Sequence, residues 1–235
     1  MSITDATSGT DDHRLGGEVI LPDNPEYDDA RAVHNGMIDK RPAIVVRCES
    51  VDHVADALAY AQESKLAVAV RGGGHNGPGF GTVDGGIVID LLRMNCIDVD
   101  ADARTVRVQG GATGGQVDAA THAYGLAVPS GIISTTGVGG LTLGGGHGYL
   151  SRKYGLTIDN LLEAEVVLAD GRVVTASESD NSDLFWALRG GGGNFGIATS
   201  FTFQAHPVHT VICGPTVWPA SAAADILSWF RDFLP

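Results

Sequence analysis

Two histidines sit inside runs of glycine, and the chemistry of this chain starts there. His75 lies in Arg71-Gly-Gly-Gly-His-Asn-Gly77, and His147 in Gly144-Gly-Gly-His-Gly148. A neutral imidazole nitrogen is a nucleophile, and a glycine loop turns its backbone N–H groups into a nest for an anion. Residues 72–77 formally satisfy GxGxxG after a strand-like run. A dinucleotide-binding βαβ unit must open a helix at that point, so that the helix N-terminus faces the pyrophosphate. Here Pro78-Gly-Phe-Gly-Thr-Val-Asp-Gly-Gly86 follows, which cannot open a helix. A nicotinamide-dependent dehydrogenase is therefore disfavoured, and no GxxxxGKS/T phosphate loop is present.

A second stretch, Pro129-Ser-Gly-Ile-Ile-Ser-Thr-Thr-Gly-Val-Gly-Gly140, offers small residues and hydroxyls without a charge. Its N–H groups from Ser134 to Gly140 suit the oxygens of a pyrophosphate, and Gly139 and Gly140 allow close approach. His75, His147 and His122 lack metal-ligand spacing and no carboxylate joins them, so no metal is expected. Cys48, Cys96 and Cys213 are odd in number and far apart. They read as small buried apolar residues, not as a disulfide framework or a metal motif.

The elements that must position these groups are short. Ala43 to Arg47 reads as a strand, Val51 to Ser64 as a helix, and Leu66 to Arg71 and Gly86 to Leu91 as buried strands. Cys96 to Val99 and Thr105 to Gln109 form two more strands around a turn, followed by a helix from Gly115 to Tyr124. Asp170-Gly171 between β-branched runs signals a hairpin over 165–174. A helix over 182–188 has Ser182 as its N-cap and Trp186 on its apolar face, and Ile197 to Gln204 alternates as a strand. Gly214 to Trp218 starts a further strand, and Ala224 to Leu234 a helix whose Trp229, Phe230 and Phe233 need a surface to pack on. Of the 33 glycines, 24 fall in the four blocks 72–86, 110–115, 137–148 and 190–196, between well-patterned elements. That pattern reads as ordered loops of an α+β fold and not as a linker.

The chain has 235 residues and a net charge of −13, from 21 Asp and 7 Glu against 12 Arg and 3 Lys. Such a surface excludes nucleic acid as a partner, because phosphate binding needs clustered cations. It suits a salt-rich cytosol, where the self-repulsion is screened. No run of eighteen apolar residues is present, and the polar start lacks the pattern of a signal peptide, so a cytoplasmic protein without a membrane span is expected.

Arg71-Gly-Gly-Gly-His-Asn76 followed by Gly85-Gly-Ile-Val-Ile-Asp-Leu91 resembles the PCMH-type FAD-binding domain of the vanillyl-alcohol oxidase superfamily, in its berberine bridge enzyme and hydroxynicotine oxidase type. Pro129 to Gly140, Tyr154-Gly-Leu-Thr-Ile-Asp-Asn160 and Trp186-Ala-Leu-Arg-Gly-Gly-Gly-Gly-Asn-Phe-Gly-Ile197 continue the resemblance in order, over about residues 40–205. It implies two small α/β subdomains enclosing FAD, over 26–112 and 113–207. An N-terminal arm would occupy 1–25, and the beginning of a truncated substrate-binding domain 208–235.

The resemblance further implies that His75 is bonded to the flavin 8α carbon. Arg71, Gly72, Gly73, Gly74, Asn76, Ser134, Thr135, Gly137, Gly139, Gly140, Gly145, Gly148 and Ile197 would contact the cofactor. Relatives with two covalent links carry a cysteine where this chain has Ile133, so one link at most is expected. The implied reaction is hydride transfer from an alcohol, sugar or amine carbon of a small substrate to flavin N5, with reoxidation by O2. The alternative is a non-catalytic FAD-binding remnant, or one half of a split flavoenzyme completed by a second polypeptide. No general base is assigned; His147, Tyr149 and Tyr154 are the nearby groups with suitable protons.

Overall fold

A computed structural model describes residues 14–212 and 214–233. The apolar runs of the first half form a mainly parallel sheet, buried on both faces at its centre and open on one face at its edge over 68–71. Its strands are β1 (Glu18–Ile20), β2 (Ile44–Arg47), β3 (Val68–Arg71) and β4 (Ile87–Asp90), in the order β1-β2-β4-β3. β2, β4 and β3 run parallel, and β1 closes the edge antiparallel to β2. Helix α1 (Tyr27–Arg31) inserts Tyr27 and Ala30, and the Tyr27 hydroxyl donates to the Pro42 carbonyl at 2.7 Å. Helix α2 (Val51–Glu63) buries Val54, Ala57 and Ala61 at helical spacing. The hydroxyl of Ser50 caps its start, accepting the His53 N–H at 3.2 Å.

The second sheet is antiparallel. It contains β5 (Ile97–Asp100), β6 (Thr105–Gln109), β8 (Leu161–Val167), β9 (Val173–Ser177) and β10 (Ile197–Gln204), in the order β5-β6-β10-β8-β9. Central β10 carries Phe201 and Phe203, both fully buried with ring centroids 6.0 Å apart. Three helices lie beside this sheet: α3 (Gly114–His122), α4 (Val138–Leu143) and α6 (Ser182–Gly191). A small pair, β7 (Leu126–Ala127) with β11 (His206–Pro207), and the single turn α5 (Ser151–Tyr154) complete this half. Helix α7 (Ala223–Phe233) follows, and none of its residues is buried. No helix among the described residues is long and apolar enough to cross a membrane.

Several expectations need correction. The division between the sheets falls at residues 91–96, not at 112, because the β5–β6 hairpin pairs through β6 with β10, about a hundred residues later. Residues 18–20 of the expected arm are a paired strand with Ile20 buried, while residues 1–13 lie outside the described residues. Helix α6 is preceded by Asn181 in a left-handed conformation, so Ser182 is its first residue and not its cap. Trp186 is 79 % exposed: α6 buries Phe185 and Leu188, and Trp186 projects from the adjoining face. Gly214 to Trp218 forms no strand, and Cys213 lies outside the described residues. Cys48 is buried as expected, and burial together with Asp90 and Asp56 pushes its thiol up to about 12, whereas Cys96 is exposed.

Candidate functional site

The parallel strands β2, β4 and β3 end in register at Arg47, Asp90 and Arg71, and the loop bearing His75 leaves from that carboxyl edge. Ligands of open parallel sheets bind at this edge. Arg71 itself is only 4 % exposed. Its Nη2 pairs with Asp90 Oδ2 at 2.5 Å, and its Nη1 donates to the Ala32 carbonyl at 3.0 Å. These partners tie the guanidinium, and with it the start of the loop, to Asp90 and to the segment at Ala32. A cavity of about 180 Å³ at this edge is lined by Arg47, Arg71, the backbone of residues 72–74 and Arg93.

Three of the four glycine blocks converge here. A Cβ on Gly73 would lie 2.3 Å from the Gly137 nitrogen, and one on Gly137 would lie 2.2 Å from the Gly73 nitrogen. The two loops therefore touch backbone to backbone, which only glycine permits. Cβ atoms on Gly72 and Gly139 would stand 3.2 and 3.0 Å from the same Gly110 carbonyl. Much of the glycine excess thus lets loops pack on one another. Gly148 belongs to the same class, since its Cβ would meet the Ser130 carbonyl at 1.8 Å. Gly145 has φ +109°, and its carbonyl accepts the Ile158 N–H. Gly140 differs: a Cβ there meets nothing within 4 Å, so its face is open.

His75 is half-buried where these loops meet. Its Nε2 lies 2.9 Å from the Thr135 hydroxyl, and its Nδ1 lies 3.4 Å from the Thr136 hydroxyl. The ring stacks on that of His34, with centroids 4.0 Å apart and planes at 13°. Burial, reinforced by His34, holds the imidazole below its ordinary pKa, so it is neutral at pH 7. Nothing in the sequence pattern linked residue 34 to residue 75. The segment around it straps the loop down: His34 N–H donates to the Gly74 carbonyl at 3.1 Å and Asn35 to the Gly77 carbonyl at 3.0 Å. Lys40 Nζ reaches the carbonyls of Gly79 and Thr82. Asn76 is exposed and accepts the Phe80 N–H, which caps the turn.

In the second loop, the N–H groups of Thr136 and Val138 are used by the carbonyls of Ile133 and Ala112. The anion nest is therefore narrower than the expected run from Ser134 to Gly140. Gly139 and Gly140 lie in the first turn of α4, where N–H groups have no intrahelical partner. Ser134 and Thr135 are exposed beside them, and neither 72–77 nor 129–140 contains a carboxylate. Ile133 is 54 % exposed at the expected rim.

The other expected residues are placed less directly. Ile197 is buried in β10 opposite Val167, and Phe195 packs over Gly191. His147 and Tyr149 are exposed. Tyr154 stacks on His206 at 4.0 Å, and His206 Nε2 lies 2.6 Å from Asn160 Oδ1. Asp159 closes its own turn by accepting the Leu156 N–H, so this group is structural. Among the described residues, no three His, Cys, Asp or Glu side chains gather as metal ligands.

A neutral imidazole, the open face at Gly140, unpartnered N–H groups and two loops without carboxylates of their own fit a planar dinucleotide with a diphosphate, such as FAD, while Asp29 and Asp90 line the adjoining cavity at the strand edge. The model of a FAD binding domain matches residues 42–177. The (R)-6-hydroxynicotine oxidase of Paenarthrobacter nicotinovorans is 39 % identical over 223 residues, covering 94 % of this chain and 49 % of that protein. The crystal structure of 6-hydroxy-D-nicotine oxidase from Arthrobacter nicotinovorans is 40 % identical with a TM-score of 0.81, over 82 % of this chain and 43 % of that one. Glucooligosaccharide oxidase from Acremonium strictum, described with a 6-S-cysteinyl, 8α-N1-histidyl FAD, is 37 % identical with a TM-score of 0.75, over 80 % and 40 %. The chain spans about half the length of the curated relatives it matches. The chain therefore belongs to the FAD binding domain family, matching the N-terminal half of berberine bridge enzyme- and hydroxynicotine oxidase-like flavoproteins, with FAD as its cofactor.

Proposed function

We propose that this chain is the FAD-carrying half of an oxidase-type oxidoreductase, and that one covalent bond from His75 holds the flavin. When bound, FAD supplies a hydride acceptor at N5 and an electron path to O2. The substrate class is a small molecule with an oxidisable alcohol, sugar or amine carbon, as the hydroxynicotine and oligosaccharide oxidases among the similar proteins suggest. The observation that carries the reading is the His75 ring held at the junction of the glycine loops, against the Thr135 and Thr136 hydroxyls and the His34 ring. A ring nitrogen that keeps its lone pair at pH 7 is a competent nucleophile. Ile133 offers only an alkyl group, so a second bond from that position is unavailable. The remaining residues hold and shield: the Arg71–Asp90 pair fixes the loop, and the backbone contact of Gly73 with Gly137 keeps the two loops in register. No side chain in this chain is assigned as the general base.

Purified chain is expected to be yellow, with flavin fluorescence that survives acid precipitation and is lost in His75→Ala. Wild-type flavin left entirely in the acid supernatant would overturn the covalent link. Peroxide release across a panel of alcohols, sugars and amines tests the oxidase reading. A second reading is that the substrate half lies outside these 235 residues, in the same or another polypeptide. It is favoured by α7, whose Trp229, Phe230 and Phe233 all remain exposed. Retained flavin without turnover of any panel member would support this second reading.

A further inference from the structure

We infer that Thr135 and His34 are positioning residues for the attachment of FAD to His75: the Thr135 hydroxyl fixes the tautomer, and the His34 ring fixes the plane of the imidazole. This rests on the reading that His75 is the attachment point. A neutral imidazole carries one N–H and one lone pair, and it can attack only through the lone pair. The two ring contacts are unequal, 2.9 Å from Nε2 to Thr135 and 3.4 Å from Nδ1 to Thr136. Either hydroxyl can donate or accept; assigning the proton to Nε2 lets the closer contact satisfy the N–H and leaves the Nδ1 lone pair loosely covered by the longer one. In this arrangement Nδ1 is the nitrogen presented. His34, tied to the Gly74 carbonyl through its own N–H, stacks at 4.0 Å and blocks rotation out of that plane.

The step balances with dioxygen as the oxidant. An Nδ1–C8α bond forms, one C–H bond of the 8α methyl breaks, and the Nε2 proton leaves through the Thr135 hydroxyl to solvent. The two electrons released reduce the flavin ring and pass to O2, which with the two protons gives hydrogen peroxide.

The test uses the full chain purified from riboflavin-starved cells and mixed in air with saturating FAD. Acid-stable flavin fluorescence is followed in time, so the maximal attachment rate is read apart from affinity. Thr135→Val is expected to slow attachment roughly 10-fold or more, because the ring loses its fixed orientation. Thr135→Ser, which keeps the hydroxyl, should restore most of the rate, and a merely structural role would not separate Val from Ser in this way. His34→Ala should slow attachment and His34→Phe, which can still stack, should restore it. In 15N-histidine spectra of the apo chain, the Nε2–H form of His75 should dominate and give way to a mixture in Thr135→Val. Wild-type rates in both Thr135→Val and His34→Ala, or attachment through Nε2 in the proteolytic flavopeptide, would overturn this inference while leaving the covalent reading intact. No acid-stable flavin in the wild type would instead overturn the covalent reading itself.

Discussion

The two glycine–histidine loops have nearly the same composition and different fates. Gly72-Gly-Gly-His75 emerges from a parallel edge strand, and its half-buried ring is flanked by two threonine hydroxyls and a second imidazole. Gly144-Gly-Gly-His147 follows the short helix α4, and its ring is exposed. The glycines of both loops serve close packing, Gly73 against Gly137 and Gly148 against Ser130. The environment of each histidine therefore comes from what the fold brings to its ring, and not from the glycines beside it.

The sharpest way to break this comparison is to exchange the two losses. His75→Ala should abolish acid-stable flavin while His147→Ala retains it; a loss in His147→Ala would show that the exposed ring is the attachment point. Next in size is the ion pair beside each loop. Arg71→Met leaves the Asp90 carboxylate buried without its partner and should cost about 3–5 kcal/mol in urea denaturation. Arg189, 3.7 Å from Asp159 and half-exposed, should cost under about 1 kcal/mol when changed to Met. Equal losses would mean that the first loop is no more firmly anchored than the second.

Glycine substitutions sharpen the comparison further. Gly73→Ala forces a Cβ against backbone and should destabilise the apo chain by about 1–3 kcal/mol. Gly140→Ala, in a helix with open space around it, should stabilise the apo chain by about 0.5–1 kcal/mol and weaken FAD uptake. Unchanged FAD uptake in Gly140→Ala would place the cofactor elsewhere.

The smallest expected effect is with pH. The pKa values of His75 and His206 are both held below the ordinary 6.5, each chiefly by burial, with His34 and Lys153 adding to it. The unfolded chain therefore binds more protons than the folded one in mildly acidic solution. Stability should be full above pH 6.5 and fall as the pH drops from there toward the folded values. His75→Gln should flatten part of that slope, as read from thermal midpoints between pH 7 and 5.

Local pattern made much of the fold legible. The apolar runs at 44–47, 68–71 and 87–90, the spaced Val54, Ala57 and Ala61, and the alternation of 197–204 each became the element their period implies. The Asp170-Gly171 hairpin formed as well, with Gly171 N–H donating to the Leu168 carbonyl. Trp186 was misplaced because α6 is amphipathic about Phe185 and Leu188, and the direction of the core is not written in one turn of helix. The β5–β6 hairpin was found but put in the wrong half, since its partner β10 arrives only at residue 197. Helix α4 escaped notice because Val138-Gly-Gly-Leu-Thr-Leu143 has low helical propensity and is held by its packing.

The sequence by itself determined the family and the glycine-rich loops that mark it, because glycine, proline and hydroxyl residues act through local backbone geometry. Only the tertiary structure decided that Arg71 is a buried anchor, that most loop glycines face other loops, and that His34, Thr135 and Thr136 surround His75. The contacts around His75 join residues 41 to 61 positions apart, and the pairing of such distant groups is settled by the packing of whole sheets and not by any local pattern.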